Sequence, residues 1–188
     1  MIYIEDDFLP NNLFEELLNH SSNFNKIDTP GKSFWVKETP EKIQSFILKK
    51  LEKIEGKKIN NILSFIREAK LNQDDDWRIH NDSIIENQKP ERAVVFYIKS
   101  EDSGLSGTSF WSHKKYGDVF PDDLNEDEFN RLLTEDSNNS ELWNLKSVIG
   151  FKENRLLSYP CNYFHSKFPN RFIKPRIVLV MFYNFDNE

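Results

Sequence analysis

Hydrophobic positions along this chain change period once. Before about residue 56 they recur in two stretches every three or four residues, the spacing of one helix face; from about residue 59 they come in alternating or continuous runs, the spacing of strands. Ile2, Tyr3 and Ile4 read as a short strand, with a turn at Asp6 and Asp7 and a stop at Pro10. A first helix follows, capped by Asn11 or Asn12, with Leu13, Phe14, Leu17 and Leu18 on one stripe. Residues 22–38 have no clear period, and Pro30 with Gly31 marks a turn. Thr39 caps a second helix with Pro40 at its first position; Ile43, Phe46, Ile47, Leu51 and Ile54 form its buried face, and Gly56 ends it.

The second part of the chain reads as strands at 93–98, 108–111, 155–159 and 177–183, and 62–70, whose spacing also fits a helix, reads as a strand because it leads into another extended run. Asp74, Asp75 and Asp76 read as a solvated turn, and 77–80 runs extended into Asn81 and Asp82. Residues 117–148 are acidic and read as a largely helical insertion, with Phe129, Leu132 and Leu133, then Leu142, Trp143 and Leu145, at helical spacing. The expected fold class is α+β with a mainly β core: helices packed against a small antiparallel barrel or sandwich, in one domain spanning 1–188.

Charge and cysteine content narrow the function classes. A net charge of -6 disfavours a nucleic-acid coat or an anionic membrane surface as the main partner, though it allows a small basic pocket. Cys161 is the single cysteine, so no intrachain disulfide exists, which fits a reducing, cytoplasmic setting. The opening residues carry acids where a signal peptide needs a basic start, and no run approaches the roughly 20 apolar residues of a membrane helix.

Three residues carry ligand chemistry. His80 and Asp82 sit at i and i+2 of an extended segment, so their side chains leave the same face and can reach one ion. With a distant histidine, a neutral imidazole and a carboxylate form a facial triad on Fe(II) that leaves positions open. His165, 85 residues downstream, is the natural third ligand. Arg176 opens the last apolar run, and alternation turns it the same way as Val178, Val180 and Phe182, towards one interior. A guanidinium aimed inward needs an acid or an anion, and a carboxylate fits it bidentately. Arg171 and Lys174 are rival anion partners, but their place before the strand turns them to water.

This order of parts resembles the iron- and 2-oxoglutarate-dependent oxygenases, in particular the prolyl-4-hydroxylase-like branch. The opening I-Y-I-E-D-D-F-L-P before a helix looks like the start of that branch, and H-N-D like its proximal pair. The segments G-T-S-F-W-S-H and E-N-R-L-L-S-Y-P-C-N-Y-F-H-S are closer still to a subgroup of oxygenases with no assigned substrate. The resemblance implies a double-stranded β-helix, Fe(II) on His80, Asp82 and His165, and Arg176 holding the far carboxylate of 2-oxoglutarate. It also implies O2 as oxidant, with 2-oxoglutarate decarboxylated to succinate and CO2, and hydroxylation of an aliphatic C–H on a substrate the sequence does not name. Two positions depart from the pattern. The place of a tyrosine that touches the cosubstrate in many relatives falls near Leu71 and Asn72, and Val178 stands where Ser or Thr is common.

Other residues read more plainly. His113 is either a rim group of the site or a strand-end histidine, Cys161 an inert thiol, His20 a polar residue of the first helix, and Phe110 and Trp111 core residues. Two other readings of the barrel stay open: a cupin-like metalloprotein that uses no 2-oxoglutarate, and a non-catalytic binding module.

Overall fold

The computed structural model describes residues 1–29, 32–69, 78–101, 106–121, 126–170 and 174–186. Expectations for the turn at Pro30 and Gly31, for residues 71–77 and for Arg171 lie outside these residues. Among the described residues ten strands and three α-helices follow in the order β1 (Tyr3–Glu5), α1 (Asn11–His20), β2 (Asn25–Thr29), β3 (Lys32–Glu38), α2 (Glu41–Glu55), β4 (Ile59–Ala69), β5 (Arg92–Ser100), β6 (Gly107–His113), α3 (Glu126–Thr134), β7 (Trp143–Gly150), β8 (Arg155–Pro160), β9 (His165–Phe168) and β10 (Arg176–Phe185). A seven-stranded sheet runs β1-β8-β5-β10-β4-β3-β2, and a three-stranded sheet runs β7-β6-β9, with every pairing antiparallel. The mainly β core with helices to one side, expected from the sequence, is the double-stranded β-helix arrangement.

The large sheet is apolar on both faces, which explains why β5 and β10 read as continuous apolar runs rather than alternating ones. On its outer face Val94, Phe96, Ile98, Leu179, Met181 and Tyr183 pack against the stripes of α1 and α2. Ile43, Ile47 and Leu51 of α2 are fully buried there, each stabilising the fold by about 1.5–3 kcal/mol. On the inner face Val95, Tyr97, Leu157, Tyr159, Val178 and Phe182 meet Phe110 of the small sheet. A third cluster holds Ile79, Trp111, Leu132, Trp143 and Phe164 together at one end of the small sheet.

Four local expectations change. Both helices start one step differently from the capping expectation. Pro10 and Pro40 occupy the N-cap positions, and their carbonyls accept the first helical N–H groups, from Leu13 and Phe14 and from Ile43 and Gln44. Thr39 instead accepts a hydrogen bond from Ser64 on β4 at 2.7 Å, which ties the helix to the sheet. Gly56 ends α2 in the left-handed conformation, φ 68°, as expected. Within 22–38 lies a hairpin, β2 with β3, which extends the large sheet past β4. Ile54, expected on the buried face of α2, is 38% exposed in its last turn.

The insertion is less helical than its spacing suggests. Helix α3 is present and two short 3-10 turns follow, at Asp136–Asn138 and Ser140–Leu142. Trp143 and Leu145 are then in strand β7, where Trp143 is buried and Leu145 faces solvent. An edge strand with one partner, β6, needs few apolar residues, so its pattern mimics a polar helix.

Candidate metal centre

The proximal segment is held on both sides by hydrogen bonds of its own backbone. Arg78, with φ 47°, donates its N–H to Asn138 Oδ1 at 2.9 Å, and the Ile79 N–H bonds the Ser137 carbonyl at 3.0 Å. His80 and His165 then form an antiparallel bridge, and the Asp82 N–H bonds the carbonyl of Cys161 at 2.8 Å. His165 is therefore not a loop residue between strands. It opens β9, paired on its other side with Phe110.

The three expected ligand residues converge. Their ligand atoms all lie within 4.8 Å of one another, and among the described residues this is the single such group. His165 Nε2 is 3.2 Å from Asp82 Oδ2 and His80 Nε2 is 3.7 Å from Asp82 Oδ1. Both imidazoles turn Nδ1 towards a backbone carbonyl, His80 to Arg78 at 2.7 Å and His165 to Tyr163 at 3.0 Å. With Nδ1–H donating, each Nε2 presents a lone pair to the space shared with the carboxylate, the tautomer that a metal ligand requires. The donor set of two imidazoles and one carboxylate fits a divalent transition metal with open positions.

Electrostatics follow the same geometry. Burial, together with the neighbouring His165 charge, takes the His80 pKa down to about 4, although 36% of its side chain stays exposed at the mouth. Burial also acts against charge on His165, but the adjacent Asp82 carboxylate outweighs it and raises the pKa above the usual imidazole value. Burial pushes the Asp82 carboxyl up, and the charges of His165, His80 and Arg78 outweigh it, so the carboxylate is held below its usual range.

Arg176 takes the expected orientation. It is buried, 5% exposed, on the inner face, with its guanidinium 5.4 Å from the centre of the Tyr97 ring. Tyr159 bridges the distance between the triad and Arg176. Its ring centre is 4.8 Å from that of His165; burial, reinforced by the Asp82 charge, raises its phenol pKa well above the ordinary value, against the opposing pull of Arg176. Tyr97 and Tyr159 escaped the sequence reading, yet alternation offers the signal: Tyr97 follows Val95, and Tyr159 follows Leu157, on the face that looks inward.

The remaining candidates fall elsewhere. His113 is not at the rim: it is buried 3.3 Å from Asp136, stacked on Tyr116 and edge-on to Trp143. Cys161 is a fully buried thiol whose pKa burial pushes up, an inert group beside the Asp82 backbone. His20 bonds the Glu38 carbonyl across the α1–β3 boundary. Phe110 and Trp111 are core, and Lys174 is exposed with its amine 3.9 Å from Glu101. No described helix is long and apolar enough to cross a membrane.

No family model matches the chain, and no curated protein does. Solved structures do match across nearly its whole length. A viral collagen prolyl hydroxylase from Paramecium Bursaria Chlorella virus-1, solved with 2-oxoglutarate, aligns over 100% of this chain and 96% of its own, with TM-score 0.57 and 12% identity. A prolyl-4-hydroxylase from Pseudomonas putida aligns over 99% and 93%, with TM-score 0.58 and 8% identity. HygX from Streptomyces hygroscopicus, solved with nickel, 2-oxoglutarate and hygromycin B, aligns over 97% and 82%, with TM-score 0.59 and 10% identity. The chain has the double-stranded β-helix fold of the iron- and 2-oxoglutarate-dependent oxygenases.

Proposed function

We propose that this protein is a non-haem Fe(II)- and 2-oxoglutarate-dependent dioxygenase that hydroxylates an aliphatic C–H. The observation that carries the reading is the convergence of His80, Asp82 and His165 within 4.8 Å, on a barrel whose inner face also holds Arg176. His80, Asp82 and His165 would hold the metal, and Arg176 would pair with the distal carboxylate of 2-oxoglutarate. Such a centre would supply oxidation by O2, in which 2-oxoglutarate would give succinate and CO2, one oxygen atom going to succinate and the other to the hydroxyl formed at the substrate C–H.

The chain's own residues do the positioning. The Arg78 and Tyr163 carbonyls hold the two imidazoles in the metal-binding tautomer. Tyr97 stacks against the Arg176 guanidinium and anchors itself by donating to Thr108 Oγ1 at 2.8 Å. Val95, Val178, Phe182 and Leu157 exclude water from the floor of the site, which strengthens every charge interaction above it. A carboxylate seated at Arg176 compensates a charge that burial disfavours.

The test is an anaerobic titration of metal-free protein with Fe(II) and 2-oxoglutarate, followed by the weak visible charge-transfer band of the chelate. The band should form and vanish in His165→Ala. Metal binding without the band favours a cupin-like metalloprotein, and no metal binding favours a binding module.

A further inference from the structure

The buried pair His113 and Asp136 has no part in the proposed chemistry, yet it lies one step behind the segment that carries two of the proposed ligands. Asp136 and Ser137 open the first 3-10 turn after α3 and are 5% and 2% exposed. The Asp136 carbonyl accepts from Trp143 Nε1 at 2.8 Å and from the Asn139 N–H at 3.0 Å. Its side chain lies 3.3 Å from His113 Nε2 and 3.8 Å from Arg131 Nε. The Arg131 side chain is 55% exposed and that of His113 3%, so His113 is both the nearer partner and the one shielded from water. A buried carboxyl depends most on such a partner.

The turn that follows β6 fixes how His113 faces Asp136. Its Nδ1 accepts from the Lys115 and Tyr116 N–H groups, at 3.2 and 3.3 Å. A ring nitrogen that accepts carries no proton, so in the neutral imidazole Nε2 is the N–H. Burial lowers the His113 pKa against the opposing pull of Asp136, which keeps the ring neutral near neutral pH. Tyr116 stacked on the ring and Trp143 edge-on to it leave it no second orientation to take.

From Asp136 the contact runs to the proposed metal centre through main chain. The Ser137 carbonyl and Asn138 Oδ1 accept from the Ile79 and Arg78 N–H groups. The Arg78 carbonyl in turn meets His80 Nδ1 at 2.7 Å and sets its tautomer. On the other edge, His80 exchanges backbone bonds with His165. The proximal segment is thus clamped between β9 and the 3-10 turn, and a ligand is placed only as well as the groups that orient it.

We infer that His113 and Asp136 are positioning residues for the proposed metal centre: the Nε2–H of His113, facing Asp136, seats the turn that holds Arg78 and Ile79, and through the Arg78 carbonyl it orients the His80 imidazole. This inference rests on the oxygenase reading above and adds to it the groups that stand behind one ligand. Neither residue is itself a ligand.

The experiment uses the full-length protein and two substitutions that each keep one half of the imidazole. His113→Gln keeps an N–H donor at the place of Nε2; His113→Asn keeps an acceptor at the place of Nδ1 and takes the donor from Asp136. Calorimetry gives the Ni(II) affinity, and long-range proton–nitrogen NMR of the metal-free protein gives the His80 tautomer, with thermal melts beside them. His113→Asn should weaken Ni(II) by about tenfold and leave His80 in a mixture of tautomers, while His113→Gln should hold both near their original values. Asn138→Ala removes the side-chain acceptor of the Arg78 N–H at an exposed position, where the core is untouched, and should weaken Ni(II) in the same direction. An unchanged Ni(II) affinity in either His113→Asn or Asn138→Ala overturns the inference, even where the melting temperature falls, since the pair then stabilises the turn and nothing more. Equal losses in His113→Gln and His113→Asn overturn it too, because the donor to Asp136 is then irrelevant. An unmodified protein that takes up no Ni(II) sinks the oxygenase reading and this inference with it; failure of the inference alone leaves Ni(II) binding in the unmodified protein intact.

Discussion

His80 and His165 exchange both of their backbone hydrogen bonds, His80 N–H to the His165 carbonyl at 3.0 Å and His165 N–H to the His80 carbonyl at 2.8 Å. Two proposed ligands 85 residues apart are thus set side by side by main chain alone, on one face of an antiparallel pair. Their side chains can be changed without dissolving the frame that presents them. His165→Ala should therefore stay folded and lose more than about 100-fold in Fe(II) or Ni(II) affinity, since a ligand matters at least as much as the groups that orient it. Calorimetric metal titration beside a thermal melt separates the two effects. A variant that loses both would mean that the imidazole, not the backbone bridge, holds the segment.

Metal affinity should depend steeply on pH below the raised pKa of His165. The His165 pKa is raised above its usual 6.5 by Asp82, so a proton competes with the metal for Nε2. Affinity should fall by about tenfold per pH unit below that raised value and level off above it. Metal-free stability has two opposed contributions. That of His165 is fully present below 6.5 and lost as pH rises through its raised folded value. That of His80, whose folded pKa is lowered to about 4, is present above 6.5 and lost as pH falls towards 4. In the His80→Ala protein the loss on the acid side should shrink, which melts across that range would register.

Much of this site was legible in the chain because its parts are local signals. His80 and Asp82 at i and i+2, and Arg176 at the head of an apolar run, need only strand alternation to be placed on one face. The barrel strands β5, β8 and β10 could be read because both faces are buried and β-branched residues dominate. What escaped depends on pairing. Strands β2 and β7 lie at sheet edges, where one partner and open solvent leave a polar, weakly patterned sequence. Tyr97 and Tyr159 look like ordinary core aromatics until the fold brings them beside Arg176 and His165.

Asn154 should be the most sensitive polar residue outside the site. At φ 59° its side chain accepts from the Leu9 N–H at 2.8 Å and donates to the Leu9 carbonyl at 2.9 Å, while its carbonyl accepts from Phe8. It bolts the N-terminal segment to the β8 end of the barrel. Asn154→Ala removes two buried bonds and leaves a Cβ residue in the left-handed region, a loss of about 2–4 kcal/mol measured by urea unfolding. Asn154→Gly relieves the backbone and should recover about 1 kcal/mol of it.

Gly107 admits no side chain. A Cβ there would lie 2.2 Å from the Ile149 carbonyl oxygen on β7, which is backbone and cannot swing aside. Gly107→Ala should force β6 and β7 apart at that end and destabilise the protein by about 2–4 kcal/mol. The displacement should be local, so hydrogen exchange should rise at 107–109 and 148–150 before it rises in β10. Uniform exchange over both sheets would instead indicate that the small sheet does not open independently.

Arg176 separates function from stability most cleanly. Burial lowers its pKa and the nearby Arg67 charge adds to that, against the opposing pull of Tyr97 and Tyr159, so the folded state holds this cation at a cost. A methionine of similar length keeps the packing against Val178 and Tyr97 and removes the charge. Arg176→Met should therefore raise the melting temperature of the metal-free protein by a few degrees. The same change should weaken 2-oxoglutarate by roughly 100-fold or more, because a distal carboxylate then meets no counter-charge in a dry site. Thermal melts with and without 2-oxoglutarate read both effects: in the unmodified protein the ligand should add stability, and in Arg176→Met it should add none. A variant that is destabilised yet still responds to 2-oxoglutarate would make Arg176 a structural residue and move the cosubstrate elsewhere.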